Sequence, residues 1–323
     1  MMVTPLHEKV FLEINGTRQG MFLKSQDTTK PVLLFLHGGP GSPEIVIDQA
    51  FPTRLDELFT VCWWEQRGAG LSFKASLPAE TMTLDQFIDD TIAVTHFLRQ
   101  RFGQEKIYVL GHSWGSLLGV LVASRAPELF HAYIGTGQVV RQAESERLAY
   151  NYMIDEFRAK GDSAMLRRLE RHPINDDAAI DMSYMMLRTA AMDRLGIGAM
   201  RQRLSMGRFA RLILRFRGYT LREKLNMVRG SQFSIHWLLR ALLEADVPAR
   251  VPRLEIPAYI LQGVYDYQVS YALARDYAQA LEAPVKGFYS FTDSAHSPVF
   301  EQPELARNIL REDVLRGRTD LAD

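Results

Sequence analysis

A serine in a Gly-x-Ser-x-Gly motif is the side chain of this sequence best suited to nucleophilic chemistry. The motif spans residues 111–115, with Ser113 at its centre. An apolar run over 106–110 predicts a buried strand before it, and the pattern over 117–123 predicts a helix after it. Strand, sharp turn and helix are together typical of a nucleophile elbow, in which a strained serine backbone exposes the hydroxyl. The two glycines suit positions where strand and helix pass too closely for a Cβ.

An aspartate and a histidine farther along the chain supply the other groups that acyl transfer needs. Asp266 follows the predicted buried strand 258–262, and His296 follows the last predicted strand, 286–291. His296 would accept the serine proton and pass it to the leaving group, while Asp266 would orient the imidazole. The order serine, aspartate, histidine is that of an α/β-hydrolase. Two alternatives stay open: Asp266 as the N-cap of the next helix, and His296 as a surface-loop histidine.

The oxyanion that develops during acyl transfer needs backbone N–H donors, which we predict at Gly39 and Trp114. Gly39 lies in His-Gly-Gly-Pro-Gly, residues 37–41, directly after a predicted strand, and Trp114 follows the candidate nucleophile. Glycines let this loop turn sharply and approach a substrate closely, so Gly38 is a candidate substrate-binding residue. Ligands of such a sheet bind beyond the carboxyl ends of the strands, where these loops lie.

Nothing in the sequence predicts a metal centre or another cofactor. The eight histidines include no His-x-x-x-His pair, and the one cysteine, Cys62, lies in the apolar run 59–64. A small buried side chain is therefore the preferred interpretation of Cys62 over a reactive thiol. His37 and His112 lie within tight turns beside the candidate site, which favours loop bracing for both.

Composition and charge indicate an ordinary globular protein. The chain has 323 residues, of which 47% are hydrophobic and 24% charged, and its formal net charge is zero. This balance gives no reason to expect nucleic acid or an acidic membrane surface as a partner. Residues 1–8 lack the basic and apolar regions of a secretory signal, and no apolar run has the length of a membrane-spanning helix. We expect a cytoplasmic protein with a small-molecule or short-peptide substrate; the oligomeric state stays open.

Alternating strand and helix patterns predict an α/β fold with a mostly parallel central sheet and helices on both faces. The alternation stops over 138–252, where helical patterns and basic residues dominate. That segment holds nine of the 13 methionines, and it holds 18 Arg and 2 Lys against 6 Glu and 7 Asp. We therefore predict a core domain, 1–137 and 253–323, and an inserted all-helical cap domain, 138–252. The arginine excess would suit an anionic substrate, a partner chain or simple solvation.

Five motifs in a fixed order resemble the proline iminopeptidase (prolyl aminopeptidase) family of α/β-hydrolases. They are His37-Gly38-Gly39-Pro40-Gly41, Glu65-Gln66-Arg67-Gly68-Ala69-Gly70-Leu71-Ser72, Gly111-His112-Ser113-Trp114-Gly115-Ser116, Gly263-Val264-Tyr265-Asp266 and Asp293-Ser294-Ala295-His296-Ser297-Pro298. The resemblance covers about 9–137 and 253–315. It implies a helical cap over the active site and an acyl-enzyme mechanism that releases N-terminal residues, proline preferred, from short peptides.

The sequence also departs from that family. Glu65 stands where the family usually has aspartate, in a box whose Arg67 is expected to brace loops. The family recognises the substrate amine with cap carboxylates, one of them in a Trp-x-x-Trp-Glu motif that this chain lacks. Glu244, Asp246, Glu144 and Glu146 are the candidates here, with Glu244 chosen as substrate-binding and solvated helix charges as the alternative.

Two further functions therefore stay open. One is a carboxylesterase or lactonase that uses the same three residues on small apolar acyl substrates. The other is a ligand-binding protein on a hydrolase fold. Six cap methionines would line an apolar pocket or pack between cap helices: Met153, Met165, Met182, Met185, Met186 and Met192.

Overall fold

The computed structural model describes residues 5–174, 180–202 and 204–323, with only the backbone described at Met206. Within them, eight strands form one sheet in the order β1-β2-β4-β3-β5-β6-β7-β8. The strands are β1 (Leu6–Ile14), β2 (Thr17–Ser25), β3 (Val32–Leu36), β4 (Thr60–Glu65), β5 (Ile107–His112), β6 (Phe130–Thr136), β7 (Ala258–Gly263) and β8 (Lys286–Phe291).

The sheet is parallel from β4 to β8, and at one edge β1 pairs antiparallel with β2, which pairs antiparallel with β4. Every residue of β3, β4, β5 and β7 is buried, as a parallel sheet covered on both faces requires. The hairpin turns at Asn15-Gly16, where both residues have positive φ. The predicted α/β architecture, a mostly parallel central sheet with helices on both faces, is confirmed.

Helices cover both faces of the sheet, and their ends agree with local sequence signals. The side chain of Thr83 caps the helix after β4, and Gly103 ends that helix at φ 62°. The described helices are α1 (Ile45–Ala50), α2 (Leu84–Phe102), α3 (Trp114–Arg125), α4 (Gln142–Ala159), α5 (Ser163–Leu169), α6 (Met182–Leu195), α7 (Met206–Arg215), α8 (Leu221–Leu243), α9 (Val247–Arg250), α10 (Tyr271–Ala280), α11 (Pro298–Glu301) and α12 (Pro303–Glu312).

Helices α4 to α9 lie between β6 and β7, and we call them the helical insert. Its start at Gln142 and its end at Arg250 fall inside the predicted range 138–252, and the division into two domains stays a prediction. Met153, Met165 and Met192 pack in the insert's own apolar core, whereas Met182 and Met186 are exposed. Core packing thus explains half of the methionines named from the sequence. No described helix is long and apolar enough to cross a membrane.

Candidate active site

Ser113 lies in the sharp turn between β5 and α3. Its backbone has φ 56° and ψ −123°, a conformation rarely adopted by residues other than glycine. A Cβ at Gly111 would lie 2.1 Å from the Gly115 carbonyl oxygen, and one at Gly115 would lie 1.9 Å from the Leu36 carbonyl oxygen. Both positions therefore require glycine. The turn leaves the Ser113 side chain partly exposed at the carboxyl end of the central strand.

Asp266 and His296 are brought together although 30 residues separate them in the chain. His296 Nδ1 lies 2.8 Å from Asp266 Oδ2, and both side chains are buried. The loop after β7 holds the carboxylate: Oδ1 accepts the backbone N–H groups of Gln268 and Val269, and Oδ2 accepts the Gln262 amide. A carboxylate with these fixed donors accepts the Nδ1 proton, which leaves Nε2 of His296 as the basic nitrogen. Sequence reasoning missed Gln262, whose partner Asp266 lies four residues away.

His296 is tied to the nucleophile elbow through its backbone. Nε2 of His112, the residue before Ser113, lies 2.9 Å from the His296 carbonyl oxygen. In addition, a Cβ at Gly137 would lie 2.9 Å from the His296 ring, and the Gly137 carbonyl accepts from Ser116 of the elbow. Among the described residues, no hydrogen bond joins the Ser113 hydroxyl to His296. The structure thus brings the three loops together with the serine hydroxyl unbonded.

Gly39 lines the same cavity as Ser113, and Trp114 follows Ser113 in the chain. Gly39 has φ 116° within the loop after β3, and its Cβ would lie 2.7 Å from the Gly41 amide nitrogen. A Cβ at Gly38 would lie 3.0 Å from the Ser113 Cβ, so this loop lies directly against the serine. Trp114 is the first residue of α3, where backbone N–H groups lack a partner within the helix. Both predicted donors therefore lie on backbone next to Ser113.

Buried side chains fix the loop that carries Gly39. His37 Nε2 accepts the Gln66 backbone N–H, and the Gln66 side chain donates to the His37 carbonyl and accepts from the Trp114 indole. Burial lowers the pKa of His37 and keeps its ring neutral, as this hydrogen bond requires. Arg67 donates to the buried Asp90 carboxylate and to the Asn15 carbonyl. The expected bracing contacts of His37 and Arg67 are therefore present.

Part of the helical insert covers this loop. A Cβ at Gly41 would lie 2.4 Å from the Ser234 Cβ of α8, and one at Gly230 of α8 would lie 2.7 Å from the Gly68 carbonyl oxygen. Glycines on both sides therefore let α8 approach the loop backbone closely.

A cavity opens above Ser113 between the sheet loops and the insert. One part of its wall is apolar and the other is polar. The lining residues are Gly39, Ser113, Val139, Gln142, Glu146, Met185, Arg188, Leu239, Leu242, Leu243, Gln268 and Val269.

The polar part of the cavity wall contains a buried ion pair. Arg188 Nε lies 2.6 Å from Glu146 Oε2, and the two side chains are 4% and 3% exposed. Glu146 Oε1 accepts from the Gln142 amide at 2.9 Å, whereas the buried Gln142 Oε1 has no partner among the described residues. Burial, and then the Glu146 carboxylate, raise the pKa of Tyr184, whose hydroxyl also lacks a described partner. Among the residues that line the cavity, Gln142 therefore has an unused acceptor beside a carboxylate.

The carboxylates that the sequence singled out lie in different places. Glu146 lines the cavity, but Glu244 does not: its side chain is 61% exposed and pairs with Arg240 on the preceding turn of α8. The structure therefore does not bring Glu244 to Ser113, because it lies at the C-cap of α8 on the solvent side. Glu144 and Asp246 are half-buried and do not line the cavity, and both pair with Arg141.

Glu65 joins the sheet to the insert. It is buried at the end of β4, where one oxygen accepts from the Tyr219 hydroxyl and the other from the Leu71 backbone N–H. Burial raises the pKa of Glu65 to about 8, although both hydrogen bonds oppose the shift.

Cys62 in the same strand is fully buried, and burial raises the pKa of its thiol. Among the described residues, no cluster of three or more His, Cys, Asp or Glu side chains is arranged to hold a metal ion.

Comparisons with known proteins agree with the observed fold. A family model described as alpha/beta hydrolase fold matches residues 31–303. The chain is 34% identical over 299 residues to a probable aminopeptidase of Bacillus subtilis, covering 93% of each chain. It is 28% identical over 137 residues to a proline iminopeptidase of Clostridioides difficile, covering 39% of this chain and 43% of the relative. The solved structure of a Mycobacterium smegmatis proline iminopeptidase superimposes with TM-score 0.67 at 18% identity, covering 96% and 98%.

Proposed function

This chain belongs to the α/β-hydrolase family and is a hydrolase, and we propose that it is a serine aminopeptidase that releases N-terminal residues from short peptides. The observation that carries the proposal is one cavity lined both by Ser113 and by the Glu146 carboxylate. The first side chain would attack the peptide carbonyl, and the second would accept the free amine. In this proposal residues 138–252 form a cap domain over the site.

The chemistry would proceed through an acyl-enzyme. His296 Nε2 takes the proton of Ser113 as the hydroxyl attacks, and Asp266 stabilises the imidazolium through Nδ1. The N–H groups of Gly39 and Trp114 bind the oxyanion; the loss of one such donor costs about 3 kcal/mol of transition-state stabilisation. His296 then protonates the leaving amine, and water attacks the acyl-enzyme in the second half-reaction. A rotation of the free Ser113 hydroxyl toward Nε2 prepares the first step.

The polar part of the cavity supports recognition of an amine. An ammonium group needs acceptors, and the unpartnered Gln142 Oε1 lies on the same helix face as Glu146, one turn away. Arg188 neutralises much of the Glu146 charge, so the carboxylate stays buried at a tolerable cost while retaining lone pairs. The apolar wall around Leu239 and Leu242 suits the side chain of the N-terminal residue. The preference for proline inferred from the family resemblance is part of this proposal.

Esterase or lactonase activity on small apolar acyl groups is the second candidate. The leucines of α8 and Met185 favour it, because they provide an apolar wall that requires no amine. Both candidates use the same three residues, so only the substrate distinguishes them.

Three matched substrates test the proposal: proline 4-nitroanilide, its N-acetyl derivative and 4-nitrophenyl butyrate. We expect turnover of the free amine and at least about a 100-fold loss of kcat/KM on acetylation, since a buried acceptor is left unpaired. Glu146→Gln should raise KM for the free amine and leave KM for the ester unchanged. Glu144→Gln, at a half-buried position of α4 that does not line the cavity, is the control. Activity on the ester alone would refute the peptidase assignment.

A further inference from the structure

A second carboxylate–imidazole pair lies beside the candidate site. Glu44 Oε1 lies 2.5 Å from His112 Nδ1, and both side chains are more than nine-tenths buried. The other ring nitrogen of His112 lies 2.9 Å from the carbonyl oxygen of His296. The rings of His112 and His296 are 4.9 Å apart between centroids. The pair thus joins three loops: the one that carries Gly39, the elbow and the histidine loop.

The hydrogen bonds fix where the protons are. A backbone carbonyl only accepts, so Nε2 of His112 must carry a hydrogen and donate it to His296. Nδ1 then either donates to an ionised Glu44 or accepts from a protonated one, and the pair has no net charge in either case. Burial opposes a charged ring, but the Glu44 carboxylate and the His296 carbonyl outweigh it and raise the pKa of His112. Both ring nitrogens are occupied, so His112 is not a second base.

The pair also lies against the reacting centre. A Cβ at Gly38 would lie 3.3 Å from Glu44 Oε1 and 3.0 Å from the Ser113 Cβ. A displacement of Glu44 would therefore shift the Gly38–Gly39 backbone. A displacement of His112 would shift both Ser113 and the backbone of His296. Glu44 Oε2 is buried and has no described partner, so its position depends on the single bond to His112.

We propose that Glu44 and His112 are positioning residues, which hold the backbone of His296 so that its imidazole stays aligned with Ser113. The proposal rests on the catalytic roles proposed above for Ser113, Asp266 and His296. Neither residue touches the substrate. Their loss should therefore lower the rate of the chemical step while leaving substrate binding almost unchanged. Displacements of about 1 Å in an active site cost as much as 100-fold in rate.

The experiment compares Glu44→Ala, Glu44→Gln and the control Asp313→Ala. Asp313 is a buried carboxylate that binds the Tyr289 hydroxyl and the backbone near the C-terminus. We expect Glu44→Ala to lower kcat about 10- to 100-fold with KM within threefold. Glu44→Gln should stay within about threefold of wild type, because its amide can donate to Nδ1 of a neutral His112. Asp313→Ala should lose stability but keep kcat.

Two further measurements keep the outcome decisive. Labelling of Ser113 by a fluorophosphonate should slow in parallel with kcat, and His112→Ala with Glu44→Ala should cost no more than either alone. If Glu44→Ala does not fold, Glu44→Asp, one methylene shorter, takes its place with the same expected loss. An unchanged kcat in a folded variant, or an equal loss in Glu44→Ala and Glu44→Gln, would overturn the proposal. Full activity of Ser113→Ala would instead refute the proposed function.

Discussion

The loops of the sheet and the helical insert hold their charged side chains in different ways. Asp266 is held by Gln262 and by the N–H groups of Gln268 and Val269, all within four residues of it. The insert pairs many of its charges on exposed neighbouring turns, as in Arg240 with Glu244. A buried exception among the described residues is Glu146 with Arg188, which are 42 residues apart.

In the proposed function, the residue that takes part in the reaction and the residue that selects the substrate are therefore held in place by different parts of the chain. Asp266, the carboxylate proposed as catalytic, is held mainly by its own loop, and that loop also contacts the insert, because the Gln268 carbonyl accepts from Gln142 and Arg188. The cavity carboxylate is positioned by two helices, so its place depends on the packing of α4 against α6. Changes in the sheet loops should therefore act on kcat, and changes at the cavity wall should act on KM and on stability.

The largest expected effect is at the nucleophile. Ser113→Ala should lower kcat at least about 10⁴-fold, because the remaining oxyanion donors and binding contacts provide only residual catalysis. The melting temperature should stay close to that of the wild type, since the hydroxyl makes no described hydrogen bond. Steady-state kinetics and thermal unfolding check both statements. Turnover near the wild-type rate would refute the assignment of Ser113 as the nucleophile.

Asp266→Asn sharpens the claim that this carboxylate fixes the histidine. The change leaves the loop geometry nearly intact but favours the wrong tautomer of His296, so kcat should fall about 10⁴-fold with little change in KM. Kinetics with proline 4-nitroanilide would show it. A loss below about tenfold would mean that the carboxylate only stabilises its own turn, since Ser270 and not Asp266 caps α10.

Arg188→Met tests whether the buried ion pair with Glu146 stabilises the insert. Removing one partner of a buried pair leaves Glu146 as an unpaired buried charge, at a cost of about 3 to 5 kcal/mol in the free energy of unfolding. The double variant with Glu146→Gln should recover most of that loss. Urea unfolding measures both. Equal stability of Arg188→Met and wild type would show that the pair is not buried in solution.

Glu65 gives a pH-dependent prediction at the junction of the two regions. Its pKa is about 8 in the folded protein against an ordinary value of 4.5, so folding takes up a proton between these values. The free energy of unfolding should therefore decrease as the pH rises from about 4.5 to about 8. Glu65→Gln should remove this contribution, and Glu255→Gln, at an exposed site, should retain it. A Glu65→Gln curve with the wild-type slope would contradict the assignment.

The smallest expected effect is at Glu244. This solvent-exposed pair with Arg240 should contribute little to stability, and Glu244→Gln should leave kcat and KM unchanged. A rise in KM for the free amine would place Glu244 in the substrate site after all and would weaken the role given to Glu146.

The sequence predicted the parts of the site that depend on neighbouring residues. Strand, turn and helix around Ser113 follow from the motif and its apolar flanks, and the loops of Asp266 and His296 follow from the ends of their strands. The insert was predicted as helical, but not which of its faces line the cavity. Glu146 and Glu244 look alike as helix charges in the sequence. Their burial differs because it depends on contacts between segments far apart in the chain, such as Glu146 with Arg188.

The most direct test is the site of covalent labelling by a fluorophosphonate. The folded enzyme should acquire one adduct, mapped by mass spectrometry to Ser113, with activity lost in proportion to labelling. Labelling should disappear in Ser113→Ala and slow strongly in His296→Ala. An enzyme that stays active and unlabelled, or carries the adduct on another residue while losing activity, would contradict the proposal that Ser113 is the nucleophile.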